Sequence, residues 1–265
     1  MARMAKVDTK FGPIGIAQSG GGERIPIIFL HGVGSDKNVW QAQLHHFGQS
    51  RHAIAVDYPG YGESELLPDA TRDDFAQAVL AAMDSLDIPL AHICGLSLGG
   101  VVALAMHALA PARCASLVIA DSFAVHPEGP AIHQRSVDAA DTIGMAALAK
   151  ARASSLLGSA ATDAMHAEVI DTMSRIDPAA YKIGARAVWL ADQVDRARSV
   201  DCPTLILCGS QDTITPPALS AQLQQLIAGS RYRMIDASGH LANLEQPAAF
   251  NGMVEEFLFE TDAKS

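Results

Sequence analysis

Ser97 sits in Gly95-Leu96-Ser97-Leu98-Gly99, directly after an apolar run that reads as a strand and at the head of a stretch that reads as a helix. A hydroxyl on such a strand–turn–helix is held out toward a substrate. The helix beginning at Leu98 aims its free N–H groups and the positive end of its dipole at the same spot. The glycines on either side leave room for backbones that so sharp a turn presses together. A serine is a poor nucleophile until a base takes its proton. His240, in Ser238-Gly239-His240, is the candidate base, and Asp212, in Ser210-Gln211-Asp212, is the candidate acid that orients it. Each follows a strand-like run, Thr204–Cys208 for the acid and Arg231–Ile235 for the histidine, at the edge where α/β sheets gather their reactive loops. Asp121, which closes the run Ser116–Ala120, is the rival acid. Phe29-Leu30-His31-Gly32-Val33-Gly34 supplies a further piece: its glycines let a backbone N–H, that of Val33, face the reacting oxygen beside the N–H of Leu98. Such donors each contribute about 3–4 kcal/mol to a tetrahedral oxyanion. The chemistry these types and spacings describe is acyl transfer to serine and then to water, with no cofactor.

The elements needed to bring these groups together can be read from hydrophobic pattern. Lys6–Thr9 and Gly15–Gln18 flank Phe11-Gly12-Pro13 and predict an opening antiparallel hairpin. Ile25–Leu30, His52–Val56, Ala91–Cys94 and Ser116–Ala120 are continuous apolar runs of the kind buried in parallel sheets, and helical stretches at Asp73–Leu86 and Leu98–Leu109 separate the later ones. From about Pro127 to Ser199 the strand-like runs stop, and Ala-rich helical sequence takes over, broken at Gly144, Gly158, Pro178 and Gly184. Alternation then resumes with Thr204–Cys208, a helix Pro217–Ala228, Arg231–Ile235 and a closing helix Pro247–Phe259. The expected architecture is α/β: a mostly parallel eight-stranded sheet with helices on both faces. Residues 1–122 and 201–265 would form one core, and residues 123–200 a helical cap inserted into it. Asp57-Tyr58-Pro59-Gly60-Tyr61-Gly62-Glu63-Ser64 reads as a structural turn after a strand.

At 265 residues and 49% hydrophobic composition, the chain buries a core large enough to need neither disulfides nor structural metal. Cys94, Cys114, Cys202 and Cys208 form no CxxC pair and lie in or beside apolar runs, as reduced core thiols do. No histidines stand at ligand spacing, and the neighbours His45 and His46 would point apart on a helix, so no metal is expected. The net charge of -10 argues against nucleic acid or an anionic membrane as partner. The N-terminus lacks an apolar leader, and Val101–Ala110 is too short to span a bilayer, so a soluble cytoplasmic protein is expected. The expected partner is a small-molecule substrate, and the sequence leaves the oligomeric state open.

The segments HGVG, DYPGYGES, GLSLGG, SQDTITPP and SGHLANLEQP, in that order along nearly the whole chain, resemble the motif blocks of the α/β-hydrolase superfamily. Within it GLSLGG, Gly144-Met-Ala-Ala-Leu-Ala-Lys-Ala and His240-Leu-Ala-Asn-Leu-Glu-Gln-Pro are most similar to the 3-oxoadipate enol-lactonases. That resemblance implies hydrolysis of a small carboxylate-bearing lactone or ester in aromatic degradation. Candidate substrate contacts are His31, Arg135 and Trp189, the last near where the resemblance places a basic residue; Arg186 is a second candidate carboxylate anchor. Carbon–carbon hydrolases of the meta-cleavage product type are an alternative, but they favour Asn before the serine and Trp after the histidine, where this chain has Leu96 and Leu241. Haloalkane dehalogenases use aspartate at the elbow, and Ser97 excludes that chemistry. A non-catalytic ligand-binding protein on the same scaffold is the other alternative; it would have no need of a Ser–His–Asp set.

Overall fold

A computed structural model describes residues 2–263. Strands β1 (Arg3–Thr9) and β2 (Gly12–Ser19) make the opening hairpin, and β3 (Ile27–Leu30), β4 (Ala53–Val56), β5 (Ala91–Leu96), β6 (Cys114–Ala120), β7 (Thr204–Gly209) and β8 (Arg231–Ile235) complete one sheet. The eight strands lie in the order β1-β2-β4-β3-β5-β6-β7-β8; β1–β2 and β2–β4 are antiparallel and all other pairs parallel. Side chains alternate across the sheet as strand geometry requires. Ile28, Leu30, Leu117, Ile119 and Ile206 enter one apolar core, and Ile27, Phe29, Val118, Ala120, Leu205 and Leu207 enter the other. Both faces are therefore buried, which is why these runs read as unbroken hydrophobic sequence.

The helices are α1 (Gln41–Phe47), α2 (Arg72–Ser85), α3 (Leu98–Leu109), α4 (Gly129–Thr142), α5 (Gly144–Leu156), α6 (Asp163–Ser174), α7 (Pro178–Trp189), α8 (Val194–Arg198), α9 (Pro217–Leu226), α10 (Ala242–Glu245) and α11 (Pro247–Asp262). On one face α2 and α3 bury Phe75, Val79, Val101 and Leu104, and on the other α1 and α11 bury Leu44, Phe47, Phe250 and Leu258. The start of α2 is set by a capping box in which Thr71 and Asp74 satisfy each other's backbone N–H groups. Between β6 and β7 the described residues form α4–α8, and Val125 and Asp192 join the two ends of this insertion by an isolated antiparallel bridge. Among the described residues no helix is long and apolar enough to cross a membrane.

One local expectation needs correction. Gly184 does not break the helical segment: it lies inside α7, where a Cβ would sit 2.0 Å from the buried Tyr61 hydroxyl, so it is a point of close packing. The short helix α1 has no counterpart in the sequence pattern. The turn after β4 is structural, as its Gly and Pro content suggests. Asp57 is fully buried and accepts the Lys37 backbone N–H at 2.8 Å, the Lys37 ammonium at 2.7 Å and the Glu63 N–H at 3.1 Å. Cys94, Cys114 and Cys208 are buried, Cys202 is half-buried, and all four are free thiols.

Candidate active site

Ser97 is the single residue between the end of β5 and the start of α3, and its backbone is left-handed at φ 56° and ψ -113°. A non-glycine residue there carries strain of order 1–3 kcal/mol, which the surroundings must hold in place. They do so by bonding both ends of its peptide. The Ser97 N–H donates to the Ala120 carbonyl at 2.9 Å, and its own carbonyl accepts the Ser122 hydroxyl at 2.7 Å. The flanking glycines are sterically required. A Cβ on Gly95 would fall 2.1 Å from the Gly99 carbonyl oxygen, and one on Gly99 would fall 2.1 Å from that of Leu30. Because Leu98 opens α3, its N–H has no intrahelical acceptor. Among the described residues neither this N–H nor that of Val33 donates to any group of the chain.

His240 follows β8, and its Nδ1–H donates to Asp212 Oδ2 at 2.9 Å, with both side chains buried. A neutral ring held this way carries its free lone pair on Nε2, the tautomer that a base needs. Asp212 is itself fixed on every side. Its Oδ1 accepts the N–H groups of Ile214 at 2.8 Å and Thr215 at 3.0 Å, and Oδ2 accepts the Thr215 hydroxyl at 2.6 Å. Burial pushes the Asp212 pKa up, but the His240 charge and the bonds from His240 and Thr215 outweigh it, and the carboxyl falls to about 2.

Asp121 lies close by and is placed differently. It is fully buried, its Oδ1 accepts the Gly209 N–H at 2.7 Å, and the Cys208 thiol lies beside it. Burial, and then the charge of Asp212, drive its pKa well above the ordinary carboxylate value. It makes no hydrogen bond to His240, so Asp212 is the acid that the histidine meets. Asp121, Cys208 and Asp212 offer ligand atoms within 4.8 Å of one another, yet both Asp212 oxygens are already taken by donors of the chain.

Ser97 and His240 line one cavity of about 650 Å³, its open mouth included, together with Val33, Arg152, Leu156 and Trp189. Of the expected substrate contacts only Trp189 borders it, stacked on Phe123 with ring centroids 5.9 Å apart. His31 does not. It is fully buried, its Nδ1–H donates to the Gly32 carbonyl at 2.8 Å, and its ring packs on Tyr58 and Tyr61, so it supports the loop that carries Val33. Arg135 is exposed and borders a neighbouring cleft, while the Arg186 guanidinium donates to the carbonyls of Asp69 and Ala70. Arg152 on α5 is the guanidinium that reaches the cavity, where it donates to the Tyr181 hydroxyl at 2.9 Å. Nothing in its sequence neighbourhood sets it apart from other helix-face arginines. Thr215 and Ser122 were likewise missed, although a hydroxyl three residues after an acidic turn residue is a usable signal for a bond back to it.

The sequence profile of the alpha/beta hydrolase family matches residues 27–253. The 3-oxoadipate enol-lactonase 1 of Acinetobacter baylyi is 30% identical over 236 residues, 88% of this chain and 88% of that protein. Among solved structures, the enol-lactonase from Burkholderia xenovorans LB400 superposes with TM-score 0.89 at 27% identity, covering 96% of this chain and 100% of that one. A malate-bound thermophilic esterase from Thermogutta terrifontis does so with TM-score 0.89 at 26% identity, covering 98% and 100%.

Proposed function

The chain belongs to the alpha/beta hydrolase family and is a hydrolase acting on ester or lactone bonds, and from that premise we propose that it works as a serine enzyme through an acyl-enzyme. Ser97 Oγ attacks the acyl carbon while His240 Nε2 takes its proton, and Asp212 holds the imidazole and stabilises the imidazolium. The carbonyl oxygen, now anionic, accepts the N–H groups of Val33 and Leu98. Collapse breaks the acyl C–O bond, and His240 returns the proton to the departing oxygen. In a lactone that oxygen stays tethered to the acyl group. A water molecule then gives its proton to His240 and attacks the acyl-enzyme, and Ser97 is released protonated.

The observation that carries this reading is the buried Asp212–His240 bond at 2.9 Å on the wall of the same cavity as Ser97, whose backbone is held in a strained turn. The reading extends to a small substrate bearing a carboxylate. Trp189, Leu156 and Val33 supply apolar walls, and the Arg152 guanidinium, which among the described residues donates to the Tyr181 hydroxyl alone, has donors left to pair with an anion. The insertion α4–α8 then serves as the cap, since Arg152, Leu156 and Trp189 all come from it.

A fluorophosphonate probe tests the nucleophile. Wild-type protein should be labelled on Ser97, and Ser97→Ala should not be labelled at all. Assays with p-nitrophenyl acetate, an enol-lactone and a dienoic ring-fission product test the bond. Turnover confined to the last would replace ester cleavage with carbon–carbon hydrolysis.

A further inference from the structure

Glu245 takes no part in the chemistry above, yet its carboxylate joins the loop of the proposed base to the segment just past α5. It is 6% exposed at the end of α10. One oxygen accepts the N–H of Gly239, the residue before His240, at 2.8 Å, and the other accepts the N–H of Gly158, just past the end of α5, at 2.6 Å. Two more bonds cross the same junction. The His240 N–H donates to the Leu156 carbonyl at 2.9 Å, and the Ser159 N–H donates to Gln211 Oε1 at 2.7 Å, one residue before Asp212. The backbones are in direct contact: a Cβ on Gly158 would lie 2.7 Å from the Gly239 nitrogen and 2.8 Å from Gln211 Oε1.

Burying a carboxylate is costly unless its bonds are strong and complete. Bonds to an ionised acceptor are roughly twice as strong as neutral ones, and this carboxylate directs them at two loops 81 residues apart in the chain (Gly158 and Gly239). We propose that Glu245 is a positioning residue that makes the loop of the proposed base and the end of α5 one rigid body. One carboxylate thereby fixes where His240 stands relative to Ser97, and where the α5 wall of the cavity, Arg152 and Leu156, stands relative to both. This rests on the reading of Ser97, His240 and Asp212 as the reacting groups.

Glu245→Gln keeps one acceptor and turns an NH2 toward the other backbone N–H. With p-nitrophenyl acetate its kcat should fall about 10- to 100-fold, the loss expected when a catalytic group is misplaced by an ångström or less, while KM stays within about threefold. Fluorophosphonate labelling of Ser97 should slow in parallel. Gly158→Ala presses on the same junction with Glu245 intact and should show the same split between kcat and KM. Because both substitutions loosen one contact, the double variant should be about as slow as the worse single variant. A folded Glu245→Gln protein with wild-type kcat, whatever its melting temperature, overturns the proposal, and so do losses that multiply in the double variant. Should Glu245→Gln fail to fold, a folded Gly158→Ala protein with full kcat overturns it instead. Wild-type protein that does not label at all would sink the proposed chemistry; wild type that labels while both variants match it sinks the positioning role alone.

Discussion

Asp121 and Asp212 lie within a few ångströms of each other at the rim of the sheet and carry opposite electrostatics because their partners differ. Asp212 is surrounded by donors and by an imidazole, so its charge is stabilised. Asp121 has one N–H and an adjacent negative charge, so burial and that charge favour its protonated form. Asp212→Asn should lower kcat by about 10⁴, because the amide favours the wrong imidazole tautomer, whereas Asp121→Asn should leave kcat within a few-fold. Ser97→Ala and His240→Ala should each cost roughly 10⁵–10⁶ in kcat with an unchanged circular dichroism spectrum. Steady-state kinetics on the four proteins decide the assignment, and Asp121→Asn proving the most damaging acid variant would reverse it. The same pair gives opposite pH signs in stability. Asp212, depressed from 3.8 to about 2, contributes about 2 kcal/mol that is present above pH 4 and lost as pH falls toward 2. Asp121, raised above 3.8, binds more protons folded than unfolded, so its contribution declines as pH rises from about 4. Thermal melts of Asp121→Asn should therefore run above wild type at pH 7–8 and converge with it near pH 4; a constant offset across that range would contradict an upward shift at Asp121.

Among the elements, the elbow is held by contact rather than by propensity. Gly99→Ala would drive a methyl to 2.1 Å from the Leu30 carbonyl, pushing α3 off β3. A cost of about 1–3 kcal/mol and a melting temperature lower by several degrees are expected, with activity lost as the Ser97 turn shifts. Gly252 in α11 is the matching control. It is exposed, a Cβ there would meet nothing within 4 Å, and Gly252→Ala should stabilise by about 0.5–1 kcal/mol in the same melt. The central strands were legible to within two or three residues because their burial on both faces leaves unbroken apolar runs between turn residues; the helix Leu98–Leu109 and the partly exposed edge strand Arg231–Ile235 agree end to end. The order Ser97, Asp212, His240 was legible because each stands just after a strand: buried apolar runs for the first two, and the edge strand Arg231–Ile235 for the histidine. What escaped was set by distant contacts. Gly184 has the composition of a breaker but the position of a helix contact, α1 is short and weakly patterned, and His31 sits in the oxyanion block yet turns into a cluster of tyrosines. Arg135 and Arg152 are both arginines on helices of the insertion, and only the packing of α5 against α4 and α6 brings the second to the cavity.

At the scale of the whole molecule the charge works against the site. Nineteen basic and 29 acidic residues leave a net -10, so a substrate carrying a carboxylate approaches a repulsive field, and inside the cavity Arg152 must attract it against the Glu168 carboxyl that lines the same wall. The two effects differ in range. Repulsion acts through solvent across distances that exceed the Debye length of about 8–10 Å at physiological salt, whereas a contact pair at a half-buried guanidinium is screened far less. Added salt should therefore relieve the repulsion before it weakens the pairing, and kcat/KM for an anionic ester should rise as ionic strength goes from about 10 to 150 mM, with a neutral ester of the same acyl group flat across the series. Arg152→Gln should raise KM for the anionic ester about tenfold, the loss of one charge-assisted bond, and leave the neutral ester unchanged. An anionic ester whose kcat/KM falls steadily with salt would mean that a local positive field outweighs the net charge at long range. Equal responses of the two esters to Arg152→Gln would instead remove the guanidinium from substrate binding and confine it to its bond with Tyr181.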